Sequence, residues 1–379
     1  MARQRRQRLR ERQLSSRLYF DAHKILVRIS HWLPSMTVSR SRAQDESLQT
    51  VLNQVRSLGG DFEDVDARSF AQLPTQVGSH VYLSKGAGDH DALVVKFSEA
   101  GRAGEEITRA QQIQERVRSL LPEECRELIP EPILHGHIGS LHYLVEREIS
   151  VTHPRADWTS WNQLMDACAV SLKALEKVHP VGQVRQHPRE PSLLVESLKG
   201  QLQPYLQGRF QFIRLRHLDG MCAWLSSVMD ANGLEFGLVH GDFHLGNVLL
   251  EGGPLRVVGI VDWGRAQWDY PLFVDRYTIV LTAFSEYWNI DLGKMVNEAL
   301  RATRGGGRAR WLNDLLQALT WLDPASSTQE RVARVVFTWL HHVVGNLVNE
   351  ESRRSDFLWM WRNIDTALDG APMKTGMVG

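Results

Sequence analysis

The segment from His240 to Asp262 constrains the fold more than any other part of this chain. It runs His240-Gly241-Asp242, then Asn247, an apolar run Val248-Leu249-Leu250, a reversal at Gly252-Gly253-Pro254, and a second apolar run from Val257 to Val261 that stops at Asp262. Two β-forming runs joined by such a turn make an antiparallel hairpin. Pairing across the ladder sets residues at the open end about 5 Å apart. The sequence therefore predicts that Asn247 and Asp262 meet at one mouth, with Asp242 in the loop just before it. Three oxygen-bearing side chains framed by glycines make a hard-cation site, suited to Mg²⁺ with ligands left for phosphate oxygens or water. The alternative is that these are ordinary turn formers, since Asp and Asn side chains bond nearby backbone groups. Each fits that description singly; the set, at this spacing and after His-Gly, favours chemistry.

Around this hairpin the chain divides by pattern. A helix is expected near Leu48 to Leu58, ending at Gly59-Gly60. Short β-rich runs follow at His80 to Leu83 and Leu93 to Phe97, joined by the turn-rich Lys85 to Asp89. A polar helix from about Gly104 to Leu121 is stopped by Pro122, and two more strands lie near Ile133 to Ile138 and Leu141 to Arg147. After Pro154 the character becomes helical. Trp161, Leu164, Cys168, Leu172, Leu175 and Val178 recur at the spacing of an amphipathic helix. Two further helices fit Pro191 to Asn232, and helices resume from Tyr277 to Leu368. The tryptophans there (Trp288, Trp311, Trp321, Trp339, Trp359, Trp361) read as core.

Composition narrows the partners. The chain has 379 residues and a formal net charge of zero, which argues against nucleic acid as the partner of the folded body. Cys125, Cys168 and Cys222 are sparse and odd in number, fitting free thiols in a reducing compartment, and no apolar run of about 18 residues would span a bilayer. These features predict a cytoplasmic protein. Arginines crowd the first twelve residues, a stretch read as a solvated tail. The expected organisation is an N-terminal extension over 1–45, a first lobe over 46–149, a helical second lobe over 150–370 carrying the catalytic and metal-binding loops, and a tail over 371–379. Nothing here specifies an oligomeric state.

The string His240-Gly241-Asp242, Asn247 and Ile260-Val261-Asp262-Trp263 resembles the aminoglycoside phosphotransferase/choline kinase family. Leu175 to Pro180, and Trp268-Asp269-Tyr270-Pro271 with Asp275, are similar to further segments of that family. The resemblance implies an α+β, bilobal protein-kinase-like fold, with a small antiparallel sheet and one helix in the first lobe and a large, mainly helical second lobe. It implies ATP and Mg²⁺ as cofactors and a hydroxyl of a small molecule as acceptor. Asp242 would orient that hydroxyl and accept its proton, and Asn247 and Asp262 would hold Mg²⁺. Lys96 would contact the α- and β-phosphates, paired with a carboxylate of the polar helix. Glu106 is preferred to Glu105 there because it shares a helical face with Ala110 and Ile113. Gly78-Ser79 would cover the nucleotide, and the backbone near Glu146 to Glu148 would read adenine.

Three rivals are weaker. A protein kinase carries His-Arg-Asp, Asp-Phe-Gly and Ala-Pro-Glu, whereas here Gly241 and Trp263 replace the Arg and the Phe and no Ala-Pro-Glu follows. A non-catalytic, kinase-shaped binding protein would be expected to have lost the lysine, the base or a metal ligand. A zinc hydrolase on His240 and His244 lacks a nearby third ligand, and Gly241 is poor in a helix. The acceptor itself is not specified: Asp269, Glu286, Asp291 and Asp314 fit either a cation-binding pocket or solvated helix faces.

Overall fold

The computed structural model describes residues 42–59, 62–73, 79–84, 92–99, 101–151, 158, 160–179, 185–186, 191–206, 211–229, 234–252, 255–347 and 363–371. The Arg-rich terminus, Gly78, the Lys85 to Asp89 turn, Gly253-Pro254, Trp359, Trp361 and the last eight residues lie outside them. The chain forms two compact units, residues 1–158 with 248–264, and residues 159–247 with 265–379.

In the first unit α1 (Arg42–Arg56) precedes β1 (Phe70–Leu73), β2 (His80–Ser84), β3 (Leu93–Ser98), α2 (Arg102–Leu120), the short α3 (Glu123–Arg126), β4 (Pro132–Ile138) and β5 (Leu141–Arg147). The strands form one antiparallel sheet in the order β1-β2-β3-β5-β4. Alternation along β3 and β5 decides what each face does. Val95, Phe97, Tyr143 and Val145 pack with Leu48, Val51, Leu52 and Val55 of α1. Those four positions, spaced as one stripe, bury completely, a gain of about 1.5–3 kcal/mol each. The opposite face carries Lys96 and Glu146, and there Leu144 packs under Ile107 and Ala110 of α2. Two expectations change. α1 begins at Arg42, because its first turn is polar and invisible to apolar periodicity. β1 was not expected, and it is a four-residue edge strand held by its register with β2.

The hairpin β8 (Val248–Glu251) and β9 (Arg256–Ile260) belongs to this same unit although it lies far along the chain. Ile260 N–H donates to Leu128 O at 2.7 Å. Gly259 is required there, since a Cβ would lie 2.7 Å from the Ile149 side chain.

The second unit contains α4 (Trp161–Val178), β6 (Arg185–Gln186), α5 (Pro191–Leu202), α6 (Gln211–Met229), β7 (Glu235–Val239), β10 (Gln267–Pro271), α7 (Phe273–Trp288), α8 (Leu292–Ala302), α9 (Leu312–Leu322) and α10 (Thr328–Leu347). Ser160 caps α4 by accepting from Gln163 N–H. β7 is central in a small sheet, between β6 and β10. Phe284, Phe337 and Trp339 are fully buried among α7, α8 and α10. Trp311 is also core, but Trp321 is 47% exposed, so the reading of every tryptophan as core fails at that position.

Candidate active site

The loop after β7 carries His240, Gly241 and Asp242 and is fixed by one carboxylate. Both Asp275 oxygens accept from it: Oδ2 from His240 N–H at 2.6 Å and Oδ1 from Gly241 N–H at 2.9 Å. Asp275 lies in the first turn of α7, fully buried, and burial pushes its carboxyl up to about 6. Gly241 sits at φ +77°, and a Cβ there would fall 2.3 Å from Arg265 O, so only glycine fits. The carbonyl of Gly241 lies 3.1 Å from His341 Nε2, and Tyr270 Oη lies 2.9 Å from His341 Nδ1. Burial keeps His341 neutral by lowering its pKa. With one ring proton, Nε2–H donates to Gly241 O and Nδ1 accepts from Tyr270.

This frame presents Asp242. Its carboxylate makes no hydrogen bond among the described residues; the nearest basic side chains are His244, with Nε2 at 3.9 Å, and Arg265, with Nη1 at 4.0 Å from Oδ2. Burial opposes its ionisation, but Arg265, with His244 behind it, outweighs that and holds the carboxyl well below the usual range. Arg265 is itself steered by Asn346, whose Oδ1 accepts from Nη1 at 3.2 Å. Asn247 donates its amide N–H to Asp242 O at 2.9 Å, which turns Oδ1 away with no partner among the described residues.

In the first unit, Val248 pairs with Ile260 at the hairpin's open end, so Asn247 precedes the first paired residue and Asp262 follows the last by two. Asp262 is exposed and held at φ +67°, a conformation rare for a non-glycine residue and often found where a side chain is aimed for function. Its charge acts on Lys96. Burial works to lower the Lys96 pKa, yet Glu146 and Asp262 together raise it, so the ammonium stays charged. Lys96 Nζ lies 2.9 Å from Glu146 Oε2.

That contact gives Glu146 a side-chain role that the sequence did not suggest. The carboxylate found against Lys96 is Glu146 of β5; Glu106 of α2 has its backbone against Gly264, where a Cβ would sit 3.2 Å from Glu106 O. Glu146 therefore contributes its side chain. The neighbouring amides are also committed, Arg147 N–H to Glu131 O at 2.9 Å and Glu148 N–H to Ala92 O at 2.7 Å. Both N–H groups are thus engaged within the first unit. The Glu148 carboxyl is pushed up by burial. Ser79 immediately precedes β2.

A sequence model described as the phosphotransferase enzyme family matches residues 69–312. The chain belongs to that family. No curated protein matches its sequence. Among solved structures, a choline kinase from Cryptosporidium parvum is similar with 11% identity and a TM-score of 0.51, over 85% of this chain and 94% of that one. A Streptomyces rimosus aminoglycoside phosphotransferase in complex with ADP and streptomycin is similar with 17% identity and a TM-score of 0.45, over 77% and 98%. A Plasmodium vivax ethanolamine kinase is similar with 9% identity and a TM-score of 0.48, over 88% and 95%. The choline kinase likeness establishes the protein-kinase-like α+β fold of this phosphotransferase.

Asp275 and Glu146 were legible in the sequence as residues but not in their roles. Arg265 and His341 carried no signal beyond, for Arg265, its place three residues after Asp262. Among the described residues no group of three His, Cys, Asp or Glu side chains is placed to hold a metal ion. No helix there is long and apolar enough to cross a membrane.

Proposed function

We propose that this phosphotransferase moves the γ-phosphoryl group of ATP to a hydroxyl of a small molecule, with Asp242 as the residue that receives the hydroxyl. The observation that carries this reading is the Asp242 carboxylate: shielded, ionised, faced by the Arg265 guanidinium at 4.0 Å with His244 at 3.9 Å, and with its hydrogen-bonding capacity left open. An O–H donor entering there meets an acceptor already oriented by the Asp275 clamp.

The low pKa matters to the chemistry. A carboxylate so acidic is a weak base towards an alcohol, which suits phosphoryl transfer, whose transition state is loose. Asp242 need only align the nucleophile and take its proton late. Positioning and charge neutralisation supply most of the acceleration. Lys96, kept protonated beside Glu146, is suited to the α- and β-phosphates.

The donor set fits Mg²⁺. Asn247 offers an amide oxygen without a partner among the described residues, and Asp262 an exposed carboxylate. Two hard oxygens leave most positions to phosphate and water, the arrangement Mg²⁺ prefers. Bound there, Mg²⁺ would neutralise charge on the transferring phosphates. The acceptor class extends from aminoglycosides to amino-alcohols and sugars.

Asp242→Ala is expected to lower turnover by roughly a hundredfold or more. Asp262→Ala is expected to abolish productive use of Mg²⁺·ATP. Near wild-type turnover by Asp242→Ala refutes the assignment of the base, and an unchanged Mg²⁺ dependence in Asp262→Ala refutes that of the metal ligand.

A further inference from the structure

The geometry points to Glu146 and Gln114 as the residues that position Lys96 for the nucleotide phosphates, a clasp built from the sheet rather than from a helix-borne carboxylate. This rests on the reading of Lys96 as a phosphate ligand and deepens it.

The register makes the clasp possible. Lys96 stands opposite Leu144, and Val94 opposite Glu146, so Lys96 and Glu146 are diagonal neighbours on one face of adjacent strands. Long side chains reach across that diagonal. Oε2 of Glu146 meets Nζ at 2.9 Å, and Oε1 accepts from Gln114 Nε2 at 2.5 Å. Glu146 is 2% exposed and Gln114 fully buried. With each oxygen engaged, the carboxylate is held against rotation. Only one of the three ammonium donors of Lys96 is spent on it, and the lysine side chain is 16% exposed, leaving donors for phosphate oxygens.

Gln114 bears a cost that marks it out. Its Oε1 is buried with no hydrogen-bond partner among the described residues. Turning the amide over would set that oxygen against the Glu146 carboxylate, acceptor to acceptor. The chain therefore keeps an orphaned carbonyl in order to give Glu146 an N–H. A glutamine chosen for packing alone has no reason to do so.

The arrangement also changes what can control the lysine. In protein kinases the partner carboxylate rides on a helix, and the pair forms or breaks as that helix moves. Here the counter-charge sits in β5, pinned on both edges by β3 and β4, and Gln114 of α2 braces it with a neutral amide. A swing of the first turns of α2 would leave the Lys96–Glu146 pair intact.

Calorimetric titration of the full chain with Mg·ATP and, separately, with adenosine tests this. Glu146→Gln and Gln114→Met are each expected to weaken Mg·ATP binding about tenfold, the scale of a lost charge-assisted contact, with adenosine affinity unchanged. In a Lys96→Met background, Glu146→Gln is expected to add nothing further. The inference is overturned if both variants bind Mg·ATP like wild type, if adenosine binding falls equally, if the effects of Lys96→Met and Glu146→Gln simply add, or if Glu106→Gln carries the larger loss. Should Glu146→Gln fail to fold, Gln114→Met decides alone. A wild-type chain that binds no Mg·ATP removes the phosphotransfer reading and this inference together; a wild type that binds it while the variants match it removes the inference only.

Discussion

Replacing Asp275 by Asn should separate stability from catalysis. The Asp275 carboxyl rises from an ordinary 3.8 to about 6 because burial penalises its charge more than two amide N–H groups and His240 favour it. A carboxyl whose pKa is raised on folding contributes stability below pH 3.8, and that contribution is lost as pH rises to 6. Above pH 6 the buried charge is therefore a burden of about 3 kcal/mol relative to the neutral form. Asn removes it. Asn also keeps only one acceptor, so one of the two buried amides faces an NH₂ group, at about 1–3 kcal/mol. The terms nearly cancel, and unfolding at pH 7.5 should shift by no more than about 2 kcal/mol. Catalysis should not be spared, because the clamp sets the loop that presents Asp242. A displacement of about 1 Å at a reacting group can cost a hundredfold, and a fall in kcat of that order is expected. Denaturant unfolding and turnover on the same preparation measure both. Unaltered kcat, or a stability loss above about 4 kcal/mol, would refute the reasoning.

Gly241→Ala should do both kinds of damage, since a methyl 2.3 Å from Arg265 O cannot be accommodated at φ +77°. A stability loss of about 2 kcal/mol or more with loss of turnover is expected, and a melting temperature within a degree of wild type would contradict it. Acid should unfold the protein through His179 and His342. Burial lowers both to about 4, so the unfolded chain binds their protons first, and stability present above pH 6.5 is lost as pH falls to 4. Each contributes up to about 3 kcal/mol over that window; an unfolding free energy flat between pH 6.5 and 4 would exclude this.

What the sequence revealed depended on whether a feature was local. The Val248–Glu251 and Arg256–Ile260 strands were readable because both apolar runs and their turn are contiguous. α4 was readable because its apolar stripe repeats every turn from Trp161 to Val178. Lys96 stood out at the end of a β run. Its partner did not, because Glu146 reaches Lys96 only through the β3–β5 register, which no single segment encodes. Helical spacing instead favoured Glu106, which was near in sequence. His341 shows the same limit. One hundred residues separate it from Gly241, so no local pattern joins the two.

The most direct test of phosphoryl transfer is ³¹P NMR of the purified protein with ATP, Mg²⁺ and a mixed panel of hydroxylated small molecules, alongside Asp242→Ala. Phosphotransfer predicts a new phosphomonoester resonance growing with ADP in the wild-type sample and absent with the variant. ATP left intact across the panel, or a phosphomonoester formed equally by Asp242→Ala, would contradict it.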